Sequence, residues 1–378
     1  MAISTTIALI ACHGGPADHF ATYAKALTEK GYKVEIHATG AALKKLEQCG
    51  AKVDLCFDLD GKSLEQQDKL AKRITESFSK ASIVITDVGH PFDETLQKAL
   101  KEKEITHFAY YDNPEDFVPG GYSSTAAKVI EFAQGVFFAN ANLASATIYR
   151  EPGKEIDITG KKRVGVGYYP LGQAKVVTEK RKTEHEAKRS ALLKQHDIED
   201  TGQKVCVYFG GNNEEYFEKA FPAFLSFLQA EDLNTKNIVL VVHQHPGAKE
   251  KNLDVQKLNA CLKSFSDKAK PKVIVSDFSS VEAQVLADVV FYYQTSMAAQ
   301  FILSGIPTIQ VGHKIYEDLL VRNHLIPTAV SSEQFVQIIG NLKNMEEQPG
   351  EAVLEGLGYR ESWSEILENA IKENMPKG

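Results

Sequence analysis

The chain has 378 residues, 43% of them apolar and 25% charged, a balance that excludes disordered, collagen-like and fibrous classes. At roughly 150 residues per domain the length predicts two domains, each able to bury its own core. With 50 acidic against 43 basic residues the net charge is −7, which gives no general affinity for nucleic acid or anionic lipid.

No apolar run approaches the ~20 residues that cross a bilayer, so no membrane span is expected. Residues 1–7 lack the positive region of a signal peptide and read as the approach to a first strand. The five cysteines (Cys12, Cys49, Cys56, Cys206 and Cys261) are odd in number, scattered and without a C-x-x-C pair. Neither a disulfide framework nor a zinc site is expected, and a reducing cytoplasm is the default compartment.

Short apolar runs then alternate with longer amphipathic stretches. Residues 6–11 (TIALIA), 33–37, 52–57, 82–86, 107–111 and 135–139 read as buried strands, with helices over 17–30, 41–49, 64–80 and 92–102 between them. That alternation predicts a parallel sheet covered by helices. A charged segment with two glycines over 151–162 and a very polar stretch over 179–195 interrupt it. A second series follows at 204–209, 237–242, 272–276, 288–292 and 307–311. Residues 361–374 place Trp363, Ile366, Leu367, Ala370 and Ile371 at helical spacing, which predicts a packed terminal helix. The expected organisation is a first domain over 1–170, a linker over 171–200, a second domain over 201–360 and a C-terminal helix over 361–378.

Ligands of open parallel sheets bind beyond the carboxyl ends of the strands, which makes those loops the candidates. Strand 1 runs into Cys12-His13-Gly14-Gly15-Pro16-Ala17-Asp18. The paired glycines allow a tight turn and close approach of a ligand, although a plain strand-to-helix turn has the same signature. The spacing fits neither a Walker loop nor G-x-G-x-x-G. The fourth strand ends in Thr86-Asp87-Val88-Gly89-His90-Pro91, where Asp87 is either a helix cap or a partner for His13. A histidine held by a carboxylate suits a general base for an alcohol. Asp18 and Asp112 are rival carboxylates on the same rim.

In the second series, strand ends carry Gly210-Gly211, then His243-Gln244-His245-Pro246, then Asp277. Two histidines supply only two ligands, so no metal is expected there. The fourth strand ends at Gln294-Thr295-Ser296 before a small-residue helix containing Gln300. Hydroxyls, free N–H groups and a positive helix end suit an anion, and they equally suit ordinary capping.

On these motifs the chain resembles the GT-B glycosyltransferases and their relatives, the non-hydrolysing UDP-GlcNAc 2-epimerases. Residues 164–170 are similar to the family's Gly-x-Pro element, and 207–211 look like its glycine-rich phosphate turn. Ala287-Asp288, then Thr295-Ser296, then Gly305-Ile306-Pro307 match its strand, donor-binding helix and Gly-x-Pro entry. His245-Pro246 with Thr295-Ser296 is similar to the motifs of bacterial sialyltransferases. Where many GT-B enzymes have Glu, this chain has Gln300 or its neighbours.

The resemblance implies an α/β GT-B fold: two Rossmann-like, doubly wound parallel-sheet domains facing a cleft. It implies a glycosyltransferase, hexosyl- or sialyl-type, that is metal-independent, needs no cofactor and inverts at the sugar. A 2-epimerase and a non-catalytic nucleotide or sugar binder are the alternatives. Gly210, Gly211, His245, Pro246, Asp277, Thr295, Ser296 and Gln300 would hold the nucleotide-sugar donor. His13 with Asp87, or else Asp18, would be the base, with Gly14, Gly15 and Asp112 on the acceptor side. The partners implied are a nucleotide sugar and a glycan, lipid, small-molecule or protein acceptor.

Overall fold

The computed structural model describes residues 5–80, 82–114, 121–168, 171–211, 213–230, 238–245, 252–263, 265, 272–341 and 355–375. The chain divides into two compact units, Met1–Tyr169 with Ala352–Gly378, and Pro170–Glu351.

In the first unit, β1 (Thr6–Ala11), β2 (Lys33–Ala38), β3 (Leu55–Cys56), β4 (Ile83–Thr86), β5 (Thr106–Tyr111) and β6 (Gly135–Phe138) form one sheet. It closes with β9 (Lys162–Gly165) in the order β3-β2-β1-β4-β5-β6-β9, every pairing parallel. A hairpin of β7 (Tyr149–Glu151) and β8 (Lys154–Glu155) accounts for the charged, glycine-containing segment. Helices α1 (Gly14–Glu29), α2 (Gly40–Gln48), α3 (Leu64–Glu76), α4 (Pro91–Glu102) and α5 (Gly121–Phe132) alternate with these strands.

Strand β1 shows why the pattern reads as unbroken apolar runs. Ile7, Leu9 and Ala11 pack into the core under α1, while Ala8 and Ile10 join Leu96 and Leu100 of α4 on the opposite face. With helices on both faces there is no solvent side, so the period-two alternation of a half-exposed strand is lost. The strand expected over 52–57 shrinks to Leu55–Cys56, both exposed at the sheet edge.

The C-terminal helix, Trp363–Glu373, belongs to this first unit. Leu367 and Ile371 are fully buried in the same core as Ile7 and Leu9, and Trp363 stacks on Tyr23. The returning chain is fixed by Arg360 N–H to Gly167 O at 2.9 Å and Ala141 N–H to Gly358 O at 2.8 Å. Gly167 has φ +75°, and a Cβ there would lie 2.6 Å from the Arg360 side chain, so the approach requires glycine.

In the second unit, β10 (Lys204–Phe209), β11 (Ile238–His243), β12 (Lys272–Ser276), β13 (Val289–Tyr292), β14 (Thr308–Val311) and β15 (Thr328–Ala329) pair in the order β12-β11-β10-β13-β14-β15, again all parallel. An aromatic layer covers one face: Tyr208, Tyr216, Phe221, Phe224, Phe291 and Phe335 are all fully buried.

The polar stretch expected as a linker forms α6 (Leu171–Gln195), and it lies within the second unit. Its anchors are polar, which is why the sequence reads as a connection. Arg181 donates to the carbonyls of Gln284 (2.9 Å) and Ala287 (2.6 Å) at the end of helix Ser280–Leu286, where cations are favoured. His185 and Arg189 meet Asp288 at 3.4 and 3.7 Å, and Asp288 also accepts the Val205 N–H at 2.7 Å. Among the described residues no helix is long and apolar enough to cross a membrane, and all five cysteines are free thiols.

Because Leu367 is fully enclosed, Leu367→Ala should destabilise the first unit by about 2–5 kcal/mol. Denaturant unfolding followed by the fluorescence of Trp363, the chain's single tryptophan, would measure it.

Candidate active site

Each sheet reverses its strand order beside its own first strand, β1 lying between β2 and β4, and β10 between β11 and β13. The carboxyl ends of β1 and β4 are therefore neighbours, and a carboxylate after β4 can reach the turn after β1.

Asp87, which follows β4, does so. It has no exposed surface, and its Oδ2 accepts the backbone N–H groups of Cys12 at 2.7 Å and His13 at 2.9 Å. The His13 Nδ1 lies 3.6 Å from the same oxygen. His13 is the N-cap residue of α1 but makes no side-chain cap bond, so its ring is left to face Asp87. The ring is 41% exposed, which keeps it accessible to a ligand. Interaction with Asp87 raises the His13 pKa above its usual 6.5, against the opposing effect of partial burial. Burial pushes Asp87 upward, yet the facing His13 ring and the Cys12 backbone N–H hold it below the usual carboxylate value.

Around this dyad stand further groups, of which the sequence motifs single out Asp112 but not Asp93 or Tyr122. Asp93, in the first turn of α4, accepts the His90 N–H at 2.8 Å and the Cys12 thiol at 3.3 Å. The His90 and His13 rings are 5.9 Å apart. Tyr122 donates its hydroxyl to Asp112 Oδ1. Burial pushes the Asp112 carboxyl up to about 6, with the charge of Asp87 adding to it. Gly89 makes the packing possible: a Cβ there would lie 2.7 Å from His13 Nδ1 and 2.9 Å from Tyr122. The Gly89-His90-Pro91 turn was the available signal, but Asp93 lies two positions further on and reads locally as an ordinary helix cap.

Gly14 and Gly15 occupy the first turn of α1, where backbone N–H groups have no partner within the helix. A Cβ on Gly15 would approach Asp112 Oδ2 to 2.6 Å, so Asp112 closes over that turn. Asp18 goes elsewhere. It faces α2, 3.5 Å from Lys45 Nζ and accepting the Cys49 thiol at 3.2 Å, so it is engaged away from the dyad.

In the second unit the expected donor residues lie at the carboxyl ends of adjacent strands. Gly210 and Gly211 follow β10, and Gly210 N–H donates to His243 O at 3.0 Å. A Cβ on Gly211 would meet the Tyr216 ring at 2.8 Å, so this turn is packed from below by Tyr216. Tyr216 donates to the buried Asp254 at 2.6 Å, and burial pushes Asp254 up. This support comes from the segment between β11 and β12 and has no sequence signal.

His245 follows β11, and burial pushes its pKa down. Pro246 lies outside the described residues. Asp277 is exposed after β12. Thr295 Oγ1 accepts the Met297 N–H at 3.2 Å, so it does cap its turn, whereas Ser296 is exposed. Gln300 is buried within helix Ala298–Leu303. His243 packs on Phe209 with its Nε2 3.3 Å from Ser280. Among the described residues the one grouping of three metal-ligating types is Cys12, Asp87 and Asp93, and it includes neither His243 nor His245. Asp288 sits at the opposite end of its strand, holding α6, and is structural.

No protein-family model and no curated protein sequence matches the chain. Solved structures do match along almost its whole length. A UDP-GlcNAc 2-epimerase from Neisseria meningitidis, bound to UDP-GlcNAc, superposes with a TM-score of 0.70 at 11% identity, covering 98% of this chain and 100% of its own. A glycosyltransferase from Rickettsia africae gives 0.67 at 12%, with 100% of both chains covered. A UDP-GlcNAc 2-epimerase from Methanocaldococcus jannaschii gives 0.69 at 10%, covering 98% and 100%. The chain thus has the GT-B fold expected from its motifs, the fold that glycosyltransferases share with UDP-GlcNAc 2-epimerases.

A carboxyl whose folded pKa is raised to about 6 binds protons more tightly than in the unfolded chain. Asp112 therefore costs stability as pH rises from about 4 to 6, and the cost stays in full above that window. Asp112→Asn keeps an acceptor for Tyr122 and removes the charge. Melting curves should show the variant gaining on the wild type between those pH values and keeping the gain at neutral pH.

Proposed function

We propose that this chain is a metal-independent glycosyltransferase that moves a sugar from a nucleotide-sugar donor to an acceptor hydroxyl with inversion. The observation that carries this reading is the His13–Asp87 pair at the β1/β4 switch point, with an accessible imidazole backed by a fully buried carboxylate. His13 takes the acceptor proton as the oxygen attacks the anomeric carbon, and Asp87 stabilises the imidazolium that forms. The N–H groups of the Gly14-Gly15 turn and Asp112 line the acceptor side. In the second unit, Gly210, Gly211, His245, Pro246, Asp277, Thr295, Ser296 and Gln300 are assigned to the donor. Helix N–H groups, hydroxyls and imidazole offset the charge of the departing phosphates in place of a cation.

A 2-epimerase is the second reading, and Asp112 favours it. A carboxyl titrating near 6 beside a histidine–carboxylate pair is an acid and a base on one rim, as removal and return of a proton require. Two of the solved structures that share the fold are named as UDP-GlcNAc 2-epimerases. Incubation with UDP-GlcNAc and other nucleotide sugars, with and without an acceptor mixture, separates the readings. Nucleotide release with a new glycoside supports transfer, an epimerised sugar without acceptor supports the second reading, and neither product leaves only a binding role.

His13→Ala should lower kcat by about 100- to 10,000-fold while donor affinity changes little. In the wild type, kcat/KM should rise with pH through a midpoint above 6.5, because the base works unprotonated. Asp87→Asn removes the charge that raises this pKa, so the limb should move to lower pH while the rate falls. Ser296→Ala and His245→Ala should weaken donor binding by calorimetry, and unchanged affinity in both would remove them from the site.

A further inference from the structure

Asp87 Oδ1 is enclosed, yet no N–H, thiol or ordinary hydroxyl donor reaches it. Its partner oxygen Oδ2 accepts two backbone N–H groups, and the His13 imidazole faces it at 3.6 Å. The second buried carboxyl, Asp93, is its neighbour: ligand atoms of Cys12, Asp87 and Asp93 lie within 4.8 Å of one another. Both aspartates have no exposed surface. Two carboxylates cannot hydrogen-bond unless one carries a proton.

We infer that Asp93 is a neutral carboxylic acid whose O–H donates to Asp87 Oδ1, making Asp93 a positioning residue for the His13 imidazole. The donors decide which of the two holds the proton. Asp87 has two backbone N–H donors on one oxygen and an imidazole facing it, whereas Asp93 has the His90 N–H and a weak thiol donor. The start of α4 favours charge on Asp93, but two neighbouring carboxyls with no exposed surface disfavour being ionised together. Burial and the neighbouring charge push Asp93 well above the usual carboxylate range, while Asp87 is held below it. The Cys12 thiol is likewise pushed up by burial, so it stays a donor. The same arrangement explains the trio without a metal ion. Three of its four carboxyl oxygens already accept hydrogen bonds, and a proton on Asp93 satisfies the fourth.

The groups facing this pair are Cys12 and His13 after β1, His90 at the start of α4, and Asp112 with Tyr122 beyond β5. An O–H on Oδ1 draws charge out of Asp87 and limits how far that charge raises His13. The imidazole is thereby kept nearer neutrality, where a useful fraction is unprotonated at physiological pH. This consequence rests on His13 being the base, whereas the protonation state of Asp93 does not.

Histidine-detected NMR titration, with His13 assigned by loss of its signal in His13→Gln, tests the inference. Asp93→Asn is neutral and can still donate to Oδ1, so the His13 midpoint should stay in place. Asp93→Ala leaves Asp87 with undivided charge, so the midpoint should rise. If Asp93 is instead ionised, Asp93→Asn removes a negative charge beside the dyad, and a fall of about one unit or more overturns the inference. Should the variants fail to fold, the wild type still decides. The Asp93 side-chain carboxyl carbon should keep the shift of a protonated acid from about pH 5 to 8, and an ionised shift there overturns the inference. Absence of sugar transfer with the expected titration would count against the proposed function alone.

Discussion

The chemistry of the first unit depends on one enclosed charge. Asp87 ends β4 beside the turn that leaves β1, and a carboxylate removed from water is costly unless donors surround it. Here the donors are the consecutive backbone N–H groups of Cys12 and His13, and they fix the path of the chain into α1. The same contacts orient the imidazole, because His13 is tied to Asp87 through both its main chain and its ring. Structure and chemistry are served by a single group.

The second unit solves the corresponding problem at β10 by different means. Tyr216 packs against Gly211 and hands its hydroxyl to Asp254, so the turn rests on an aromatic platform braced by a buried carboxyl. The stacked aromatic layer gives this turn a rigid support. The two turns share a topological position and differ in what supports them.

Much of the fold was legible because burial on both faces of a parallel sheet leaves a repeated mark. Runs such as those of β1, β10 and β11 hold five consecutive apolar residues each, and helices of opposite patterning separate them. The polar helix α6 was not legible as part of the second unit. Arg181, His185 and Arg189 hold it through carbonyls and Asp288, and cations spaced along a hydrophilic stretch look the same whether they face water or a helix end. Asp18 shows the complementary difficulty. As a carboxylate five residues from His13 it is a natural candidate, but its position on α1 turns it toward Lys45.

By itself the sequence determined that this is a two-domain α/β chain of modest negative charge, with reactive residue types in strand-end loops. Alternation, glycine turns and strand-end motifs are local, and local patterning sets which elements form and where their ends lie. Tertiary structure alone decided which of those residues meet. It chose Asp87 over Asp18 as the partner of His13, and it added Asp93, a residue that reads locally as a helix cap. Such meetings depend on strand order and on the degree of enclosure, which sequence spacing does not record. Composition counts 50 acidic residues as one class. Folding separates them, so that Asp87 is held toward its charged form while burial beside it pushes Asp93 toward its neutral form.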